Sequence, residues 1–333
     1  MTSISICIPT FNRTTYLNNC LRSIKLAKKN PKIKFDVCIS DNNQNNLNTK
    51  IVKKYKKFFK INYYKNKKNI GRSLNMLKAV SLSKSDFVWL VGDDDLVLSN
   101  SILNIKKILD KNTIDFLYVN SFNLNINLIK SKKNMNIKNI LRSPKKIKFS
   151  SFEKNKKLYF HQLIDPKISF DFLGGMYLSV FRRKMWLKNK NALTKNRIKD
   201  LNEYSSLDNT FPHLKIFAKS FMFSKAYFLK TPCSINFLGA REWERLWPLV
   251  QSIRLIEVLD YYKKCGLPKL NYIKCKNFAL KNFFCDYIKI LINIKDFPIS
   301  LSEMIFLLTK NIFYPNFYLS FFYCIFRRLK LKW

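Results

Sequence analysis

The first third of the chain alternates short apolar runs with segments whose apolar residues recur at helical spacing. The apolar runs predict strands at 4–9, 35–40, 61–64 and 87–91. The segments between them predict helices at 16–28, 51–59 and 73–81. Strands that alternate with helices favour parallel pairing through right-handed crossovers, so the pattern predicts an α/β fold.

Polar clusters follow three of the predicted strands, at Thr10–Arg13, Asp41–Asn43 and Asp93–Asp95. In open α/β sheets, ligands bind beyond the carboxyl ends of the parallel strands. We therefore expect the three clusters to converge on one crevice.

The cluster after the fourth strand consists of three consecutive carboxylates, Asp93, Asp94 and Asp95. Adjacent carboxylates repel one another unless a cation lies between them, and Mg²⁺ and Mn²⁺ prefer oxygen ligands. The alternative is an acidic turn that only ends a strand. Because the chain has a net charge of +41 and few acidic positions, we favour a divalent-cation site.

Composition narrows the class of protein. The chain has 333 residues, of which 47% are hydrophobic and 15% aromatic, so it is predicted to be globular rather than disordered. Its 62 Lys and Arg against 21 Asp and Glu favour polyanionic partners, although A/T-rich codons contribute to this excess. The eight cysteines form no CxxC pair, and with two histidines a zinc site is not expected. The N-terminus has no signal-peptide pattern, and we expect a reduced, cytoplasmic protein.

The rest of the chain has weaker patterns. The Asn- and Lys-rich segment 123–157 is predicted to be a mobile or loosely helical insertion. The segment 299–333 has aromatic runs beside a basic terminus but no run of about 18 apolar residues, as a membrane-spanning helix needs. That pattern favours binding at the surface of an anionic membrane, and the alternative is a core helix followed by a solvated basic tail.

Four motifs together resemble the family 2 glycosyltransferases, whose fold is called GT-A. They are SICIPTFNR, VCISDN, NIGRSLNMLKAV and FVWLVGDDD, in this order within roughly residues 3–100. Two further blocks, LGGMYLSVFRRKMW and FPHLKIF, are similar to the O-antigen abequosyltransferases of enteric bacteria. The resemblance implies a nucleotide-sugar-binding, Rossmann-like mixed sheet flanked by helices, with a C-terminal helical region. It divides the chain into a GT-A domain at 1–230 (donor half 1–120, acceptor half 121–230) and a membrane-associating region at 231–333.

The resemblance also assigns roles to residues of the donor half. Pro9, Thr10, Asn12 and Arg13 would line the nucleotide, and Asp41 would bond the base or the ribose. Asn69, Gly71, Arg72 and Asn75 would lie beside the diphosphate. Asp93 would contact the ribose or the metal shell, while Asp94 and Asp95 would hold Mg²⁺ or Mn²⁺. In one respect the chain departs from the family, because Gly92 stands where the Asp-x-Asp-Asp pattern begins when the final Asp pair is aligned. A shift by one residue makes Asp93-Asp94-Asp95 the Asp-x-Asp triplet, so the resemblance leaves open which of the three carboxylates contacts the metal.

In the acceptor half, the resemblance indicates Asp208 as the general base, with Glu203 and Asp171 in reserve. An Asp at this position can also cap a helix, so its alternative role is structural. Gly174, Gly175 and Trp243 would face the acceptor, although Trp243 and Trp247 also suit a core. A lone histidine such as His213 is more often structural than a ligand.

The implied activity is transfer of a sugar, such as abequose or another 3,6-dideoxyhexose, from a CDP-sugar. The implied acceptor is a polyprenyl-diphosphate-linked oligosaccharide of O-antigen or lipopolysaccharide biosynthesis, at the cytoplasmic face of a bacterial inner membrane. A nucleotidyltransferase is one alternative, but the loop after the first strand has no glycine to cradle a phosphate. A nucleic-acid-binding protein is the other, and the sequence has no recognisable module of that kind, so we expect no nucleic-acid partner.

Overall fold

The structure is a computed structural model that describes residues 2–28, 33–129, 136–240 and 243–328. Within these residues, ten strands form one sheet. The strands are β1 (Ile4–Thr10), β2 (Asp36–Asp41), β3 (Lys60–Lys65), β4 (Phe87–Leu90), β5 (Leu96–Val97), β6 (Phe116–Asn125), β7 (Ile147–Lys148), β8 (Lys156–Tyr159), β9 (Ser179–Arg182) and β10 (Lys225–Leu238).

The strand order is β3-β2-β1-β4-β9-β6-β10-β5, with β7 beside β6 and β8 beside β10. Strands β1 to β4 pair in parallel. Strand β9 runs antiparallel to both β4 and β6, and β6 pairs in parallel with β10. The sheet is therefore mixed, and the carboxyl ends of β1, β2, β3 and β4 lie along one edge.

The helices cover both faces of the sheet and continue beyond it. The α-helices are α1 (Thr14–Ala27), α2 (Leu47–Lys56), α3 (Arg72–Ser81), α4 (Ser101–Lys111), α5 (Ile137–Arg142), α6 (Arg183–Lys188), α7 (Lys195–Lys199), α8 (Leu207–Thr210), α9 (Pro212–Phe221), α10 (Trp247–Leu249), α11 (Leu255–Lys264), α12 (Lys269–Ala279), α13 (Phe283–Ile292), α14 (Leu301–Asn311) and α15 (Pro315–Arg328). The seven elements predicted from the first third are confirmed, with ends shifted by at most four residues.

The central strands are apolar throughout because both faces of the sheet are covered. In β1, Ile6 and Ile8 face one apolar cluster, which includes residues of α1, α2 and α4. Cys7, between them, faces the other cluster, which includes residues of α3 and of the helices after β9. Successive side chains of a strand point to opposite faces, so a strand that is covered on both sides is apolar throughout.

The structure differs from the sequence prediction at the segment 123–157 and at residue 230. Segment 123–157 is more regular than predicted, because it contains the end of β6, helix α5, strand β7 and the first residues of β8. Strand β10 runs through residue 230, so the predicted domain boundary falls inside a strand of the main sheet. Among the described residues, no helix is both long enough and apolar enough to span a bilayer.

Candidate active site

An asparagine network joins the ends of β1, β2 and β3 to the start of α3. Asn66 Nδ2 donates to Asn42 Oδ1 at 2.8 Å and to Asn75 Oδ1 at 3.1 Å. Asn75 in turn donates to the carbonyl oxygen of Thr10 at 3.0 Å, and Asn42 donates to Asn69 Oδ1 at 2.8 Å. The network fastens the start of α3 to the edge where the strands end. Asn42 was part of the predicted polar cluster after β2, whereas Asn66 was not predicted.

Thr10 and Arg13, at the end of β1, contact the acidic turn after β4. Thr10 Oγ1 donates to Asp93 Oδ2 at 2.8 Å. Arg13 Nη1 lies 3.1 Å from Asp93 Oδ1 and 3.0 Å from Asp94 Oδ2, and its Nη2 donates to the carbonyl oxygen of Ala240 at 2.7 Å. The structure thus brings together four residues that were predicted to bind the nucleotide sugar or the metal ion. The guanidinium of Arg13 lies between the carboxylates of Asp93 and Asp94.

The carboxyl group of Asp93 is buried, and burial raises its pKa to about 7. The Arg13 guanidinium opposes that rise, and the nearby Asp94 adds to it. Burial makes the ionised form of this carboxyl group unfavourable. A positive charge beside it, from a guanidinium or a metal ion, stabilises that ionised form.

Asp95 is turned back into its own loop. Its Oδ2 accepts from the backbone N–H of Gly92 at 2.8 Å, and its Oδ1 accepts from Asn236 Nδ2 at 3.0 Å. Asp95 is buried, whereas Asp94 is partly exposed. The geometry therefore favours Asp94 over Asp95 as the carboxylate that reaches a bound cation.

The glycine at position 92 has a steric reason. A Cβ on Gly92 would lie 2.7 Å from Asp94 Oδ1, 2.9 Å from Asp95 Oδ2 and 3.4 Å from Met176 Cε. A side chain there, such as the aspartate of the usual family pattern, would displace the carboxylates of Asp94 and Asp95 from these positions. The same distances show that the loop before β9 lies against the acidic turn.

Asp41 and the backbone of Asn12 hold the neighbouring loops. Asp41 is fully buried, and it accepts from Asn48 Nδ2, from Tyr63 Oη and from the backbone N–H of Asn43. Asn12 has a φ of 53°, and its N–H donates to Asn43 Oδ1 at 2.6 Å. Pro9 precedes them in β1, opposite Ser40 of β2. The carboxylate of Asp41 is therefore engaged within the protein, where it shapes the loop after β2.

Arg72, the first residue of α3, reaches across to α8 and the loop before it. Its Nη1 donates to Tyr204 Oη at 2.6 Å, and its Nη2 donates to the carbonyl oxygen of Asn209 at 2.9 Å. Gly71 before it has a φ of 81°, a conformation that costs glycine little. A cavity of about 80 Å³ opens here, lined by Asn69, Gly71, Arg72, Ser73, Asp200, Leu201, Glu203 and Asn209.

Asp208 lies inside the protein, away from open solvent. Its side chain is 1% exposed and forms a salt bridge with Lys215 Nζ at 2.9 Å, and its Oδ1 also accepts from the backbone N–H of Thr194. The N-cap of α8 is Ser206, so Asp208 does not cap the helix. An exposed carboxylate in this region belongs instead to Glu203, which lines the cavity beside Arg72.

The diglycine loop is closely packed. Phe172 and Leu173 have φ values of 48° and 73°, and Asp171 Oδ2 accepts from the N–H of Gly175 at 2.7 Å. A Cβ on Gly174 would lie 3.0 Å from the carbonyl oxygen of Asp171. Non-glycine residues in this conformation are strained, and such strain is concentrated at functional loops.

His213 supports the diglycine loop from beneath. Its Nε2 lies 3.2 Å from the carbonyl oxygen of Gly174. Burial lowers the pKa of His213 to about 4, so the ring is neutral at pH 7 and supports the loop as a hydrogen-bond donor.

Trp243 belongs to an aromatic stack. Its ring centroid lies 5.3 Å from that of Tyr204 and 5.9 Å from that of Trp247. Tyr204 in turn lies under the Arg72 guanidinium, 4.2 Å from ring centroid to carbon. Tyr204 was missed in the sequence, where a single Tyr in a loop is not distinctive.

The acidic turn suits a divalent ion only in part. Asp93 and Asp94 already converge on one positive group, Arg13. Among the described residues, no three carboxylate, His or Cys side chains converge as metal ligands. One or two carboxylates are enough for Mg²⁺ or Mn²⁺ when water and diphosphate oxygens complete the coordination shell.

Comparison with known proteins assigns the fold. The model of glycosyl transferase family 2 matches residues 5–176, just over half of the chain. The abequosyltransferase RfbV of Salmonella typhimurium is 35% identical over 109 residues. That alignment covers 32% of this chain and 32% of the relative, so it spans about a third of the relative's length.

Solved structures resemble the whole chain. TarS 1–349 of S. aureus in complex with UDP has a TM-score of 0.58 at 14% identity, over 90% of this chain and 76% of that one. The mannosyltransferase PcManGT of Pyrobaculum calidifontis, in complex with GDP-Man and Mn²⁺, has a TM-score of 0.52 at 14% identity, over 99% and 86%. At this identity the likeness concerns the fold alone, and it confirms the predicted GT-A type with its helical C-terminal region.

Proposed function

The chain belongs to the family 2 glycosyltransferases, and from this we infer that it transfers a sugar from a nucleotide diphosphate donor to an acceptor hydroxyl. The observation that carries the inference is the convergence of Thr10, Arg13, Asp93 and Asp94 beside the start of α3. A diphosphate bound there would meet the positive end of the α3 dipole and the guanidinium of Arg13.

The donor side of the mechanism follows from charge. When a sugar leaves, negative charge develops on the diphosphate, and a bound Mg²⁺ or Mn²⁺ would offset it as a Lewis acid. Asp94 would reach the ion directly, while Asp95 would hold the turn through Gly92 and Asn236. Asp93 would face the ribose or the metal shell, and Arg72 would keep the start of α3 in place through Tyr204.

On the acceptor side, a carboxylate must take the proton of the attacking hydroxyl. Asp208 was predicted for this role, but a base must reach solvent-accessible substrate, and Asp208 is held by Lys215. We therefore propose Glu203 as the base and Asp208 as a residue that positions the acceptor half. Gly174, Gly175 and Trp243 would shape the acceptor's approach.

Substitution of Glu203 by glutamine tests this assignment. We expect the E203Q variant to lose about a hundredfold or more in kcat, because a general base contributes at least that factor. Its thermal unfolding should be unchanged, because the side chain is exposed. The matched control is E153Q, also an exposed glutamate. Equal kcat values for E203Q and the control would reject Glu203 as the base.

The similarity to an abequosyltransferase supports a CDP-sugar as the donor, with a 3,6-dideoxyhexose as the sugar that is transferred. The acceptor we propose is a polyprenyl-diphosphate-linked oligosaccharide of O-antigen or lipopolysaccharide biosynthesis. The enzyme would then work at the cytoplasmic face of the inner membrane, as a peripheral protein.

A thermal-shift panel tests the donor and the metal together. CDP-, UDP-, GDP- and dTDP-sugars are compared at equal concentration, with and without Mn²⁺. Ligand binding to the folded state raises Tm, so we expect the largest rise with a CDP-sugar plus Mn²⁺. A larger rise with another base would change the donor, and no rise with any nucleotide sugar would reject the proposed activity.

A further inference from the structure

Exposed apolar side chains are concentrated at one end of the chain. Of the 24 large hydrophobic side chains exposed among the described residues, 13 lie between residues 291 and 325. They are Leu291, Ile292, Leu301, Ile305, Phe306, Ile312, Phe313, Tyr318, Leu319, Phe321, Phe322, Tyr323 and Ile325. We call this set the C-terminal apolar face. A concentration of exposed apolar side chains in one part of a fold marks an interaction site.

Helices α14 and α15 bury only a narrow stripe. In α14 the buried apolar residues are Met304 and Leu307, and in α15 they are Phe317 and Cys324. Phe306 is 60% exposed and Phe313 is 85% exposed. The core buries one stripe of α14 and α15. The exposed apolar side chains on the rest of these helices are therefore available to bind a partner.

The charge around this face points to an anionic partner. Residues 281–333 contain eight Lys and Arg against three Asp and Glu. Lys281, Lys289 and Lys295 are exposed. The side chains of Arg327 and Arg328, and all of residues 329–333, lie outside the described residues. Two copies of a chain with net charge +41 repel each other, whereas an anionic bilayer attracts both the lysines and the apolar side chains.

The face is tied to the acceptor half through Arg254. This buried guanidinium donates from Nε to the carbonyl oxygen of Tyr204 at 2.9 Å, and from Nη2 to those of Ser205 and Pro298. The chain just before α14 is therefore joined to the loop that carries Glu203 and Tyr204. A bilayer against the face would lie near the side from which an acceptor approaches.

We propose that the C-terminal apolar face inserts into the headgroup region of an anionic membrane, and that this presents the crevice to a lipid-linked acceptor. The second clause rests on the proposed function. The first does not, because it follows from exposure and charge alone.

Sedimentation with lipid vesicles tests the proposal. The full chain is mixed with vesicles of phosphatidylglycerol and phosphatidylethanolamine, or of phosphatidylcholine only. We expect binding to the anionic vesicles, and a reduction of about tenfold or more in the variant F306Q/F313Q/F322Q, because each change removes buried apolar area from the interface. The matched control is I147Q/F223Q/L270Q, whose residues are exposed elsewhere.

Three outcomes overturn the proposal. They are no binding to anionic vesicles, equal losses in the variant and the control, and a dimer in solution that only F306Q/F313Q/F322Q dissociates, since a second copy would then cover the face. Nucleotide-sugar thermal shifts are measured on the same variants. If these persist while vesicle binding fails, the membrane proposal alone is lost, and the reverse result would reject the transferase proposal alone.

Discussion

Replacing Asp94 with asparagine is expected to reduce sugar transfer about a thousandfold while leaving the fold intact. The amide removes the negative charge that would hold a divalent ion against the diphosphate, and electrostatic stabilisation of a leaving group is commonly worth that much. Little stability should be lost, because Asp94 is partly exposed. The measurements are kcat at saturating donor, its dependence on Mn²⁺ concentration, and thermal unfolding.

The matched control is D36N. Asp36 begins β2, at the opposite end of the parallel strands from the crevice, and pairs with the exposed Lys60 at 3.3 Å. Transfer should be unchanged in D36N. If D94N keeps more than about a tenth of the activity, the acidic turn is not where the transition state is stabilised.

Replacing Lys215 with methionine is expected to lower the free energy of unfolding by about 3–5 kcal/mol, because the substitution leaves the buried carboxylate of Asp208 without its cation. Lys215 Nζ lies within 3.0 Å of both carboxylate oxygens, and the lysine is itself buried. Urea unfolding followed by circular dichroism measures the effect. The control K60M, whose salt bridge with Asp36 is exposed, should change the free energy of unfolding by less than about 1 kcal/mol.

The double variant D208N/K215M separates a structural role from a catalytic one. Asn keeps an acceptor for the N–H of Thr194 and removes the unpaired charge, so stability should largely recover. If Asp208 has only a structural role, the recovered protein also transfers sugar. A stable double variant with no activity would restore Asp208 as the base.

Periodicity along the chain was sufficient for much of the fold. The seven elements of the first third could be predicted because alternation and helical spacing are local patterns, and each apolar run had flanking polar residues that limited its ends. The segment 123–157 was predicted poorly, because its short strands β7 and β8 lie at the side of longer strands and have little alternation of their own.

The sequence by itself determined which residues follow the strands, and thus that Thr10, Arg13 and the acidic turn would meet at one edge of the sheet. Only the tertiary structure decided which of the predicted carboxylates are free to contact a ligand and which are engaged within the protein. Asp95 is engaged by Asn236, 141 residues away, Asp208 by Lys215 on the next helix, and Asp41 by Tyr63 of the adjacent strand. Strand order follows from local spacing, whereas the state of a buried carboxylate depends on the donors that distant segments bring to it.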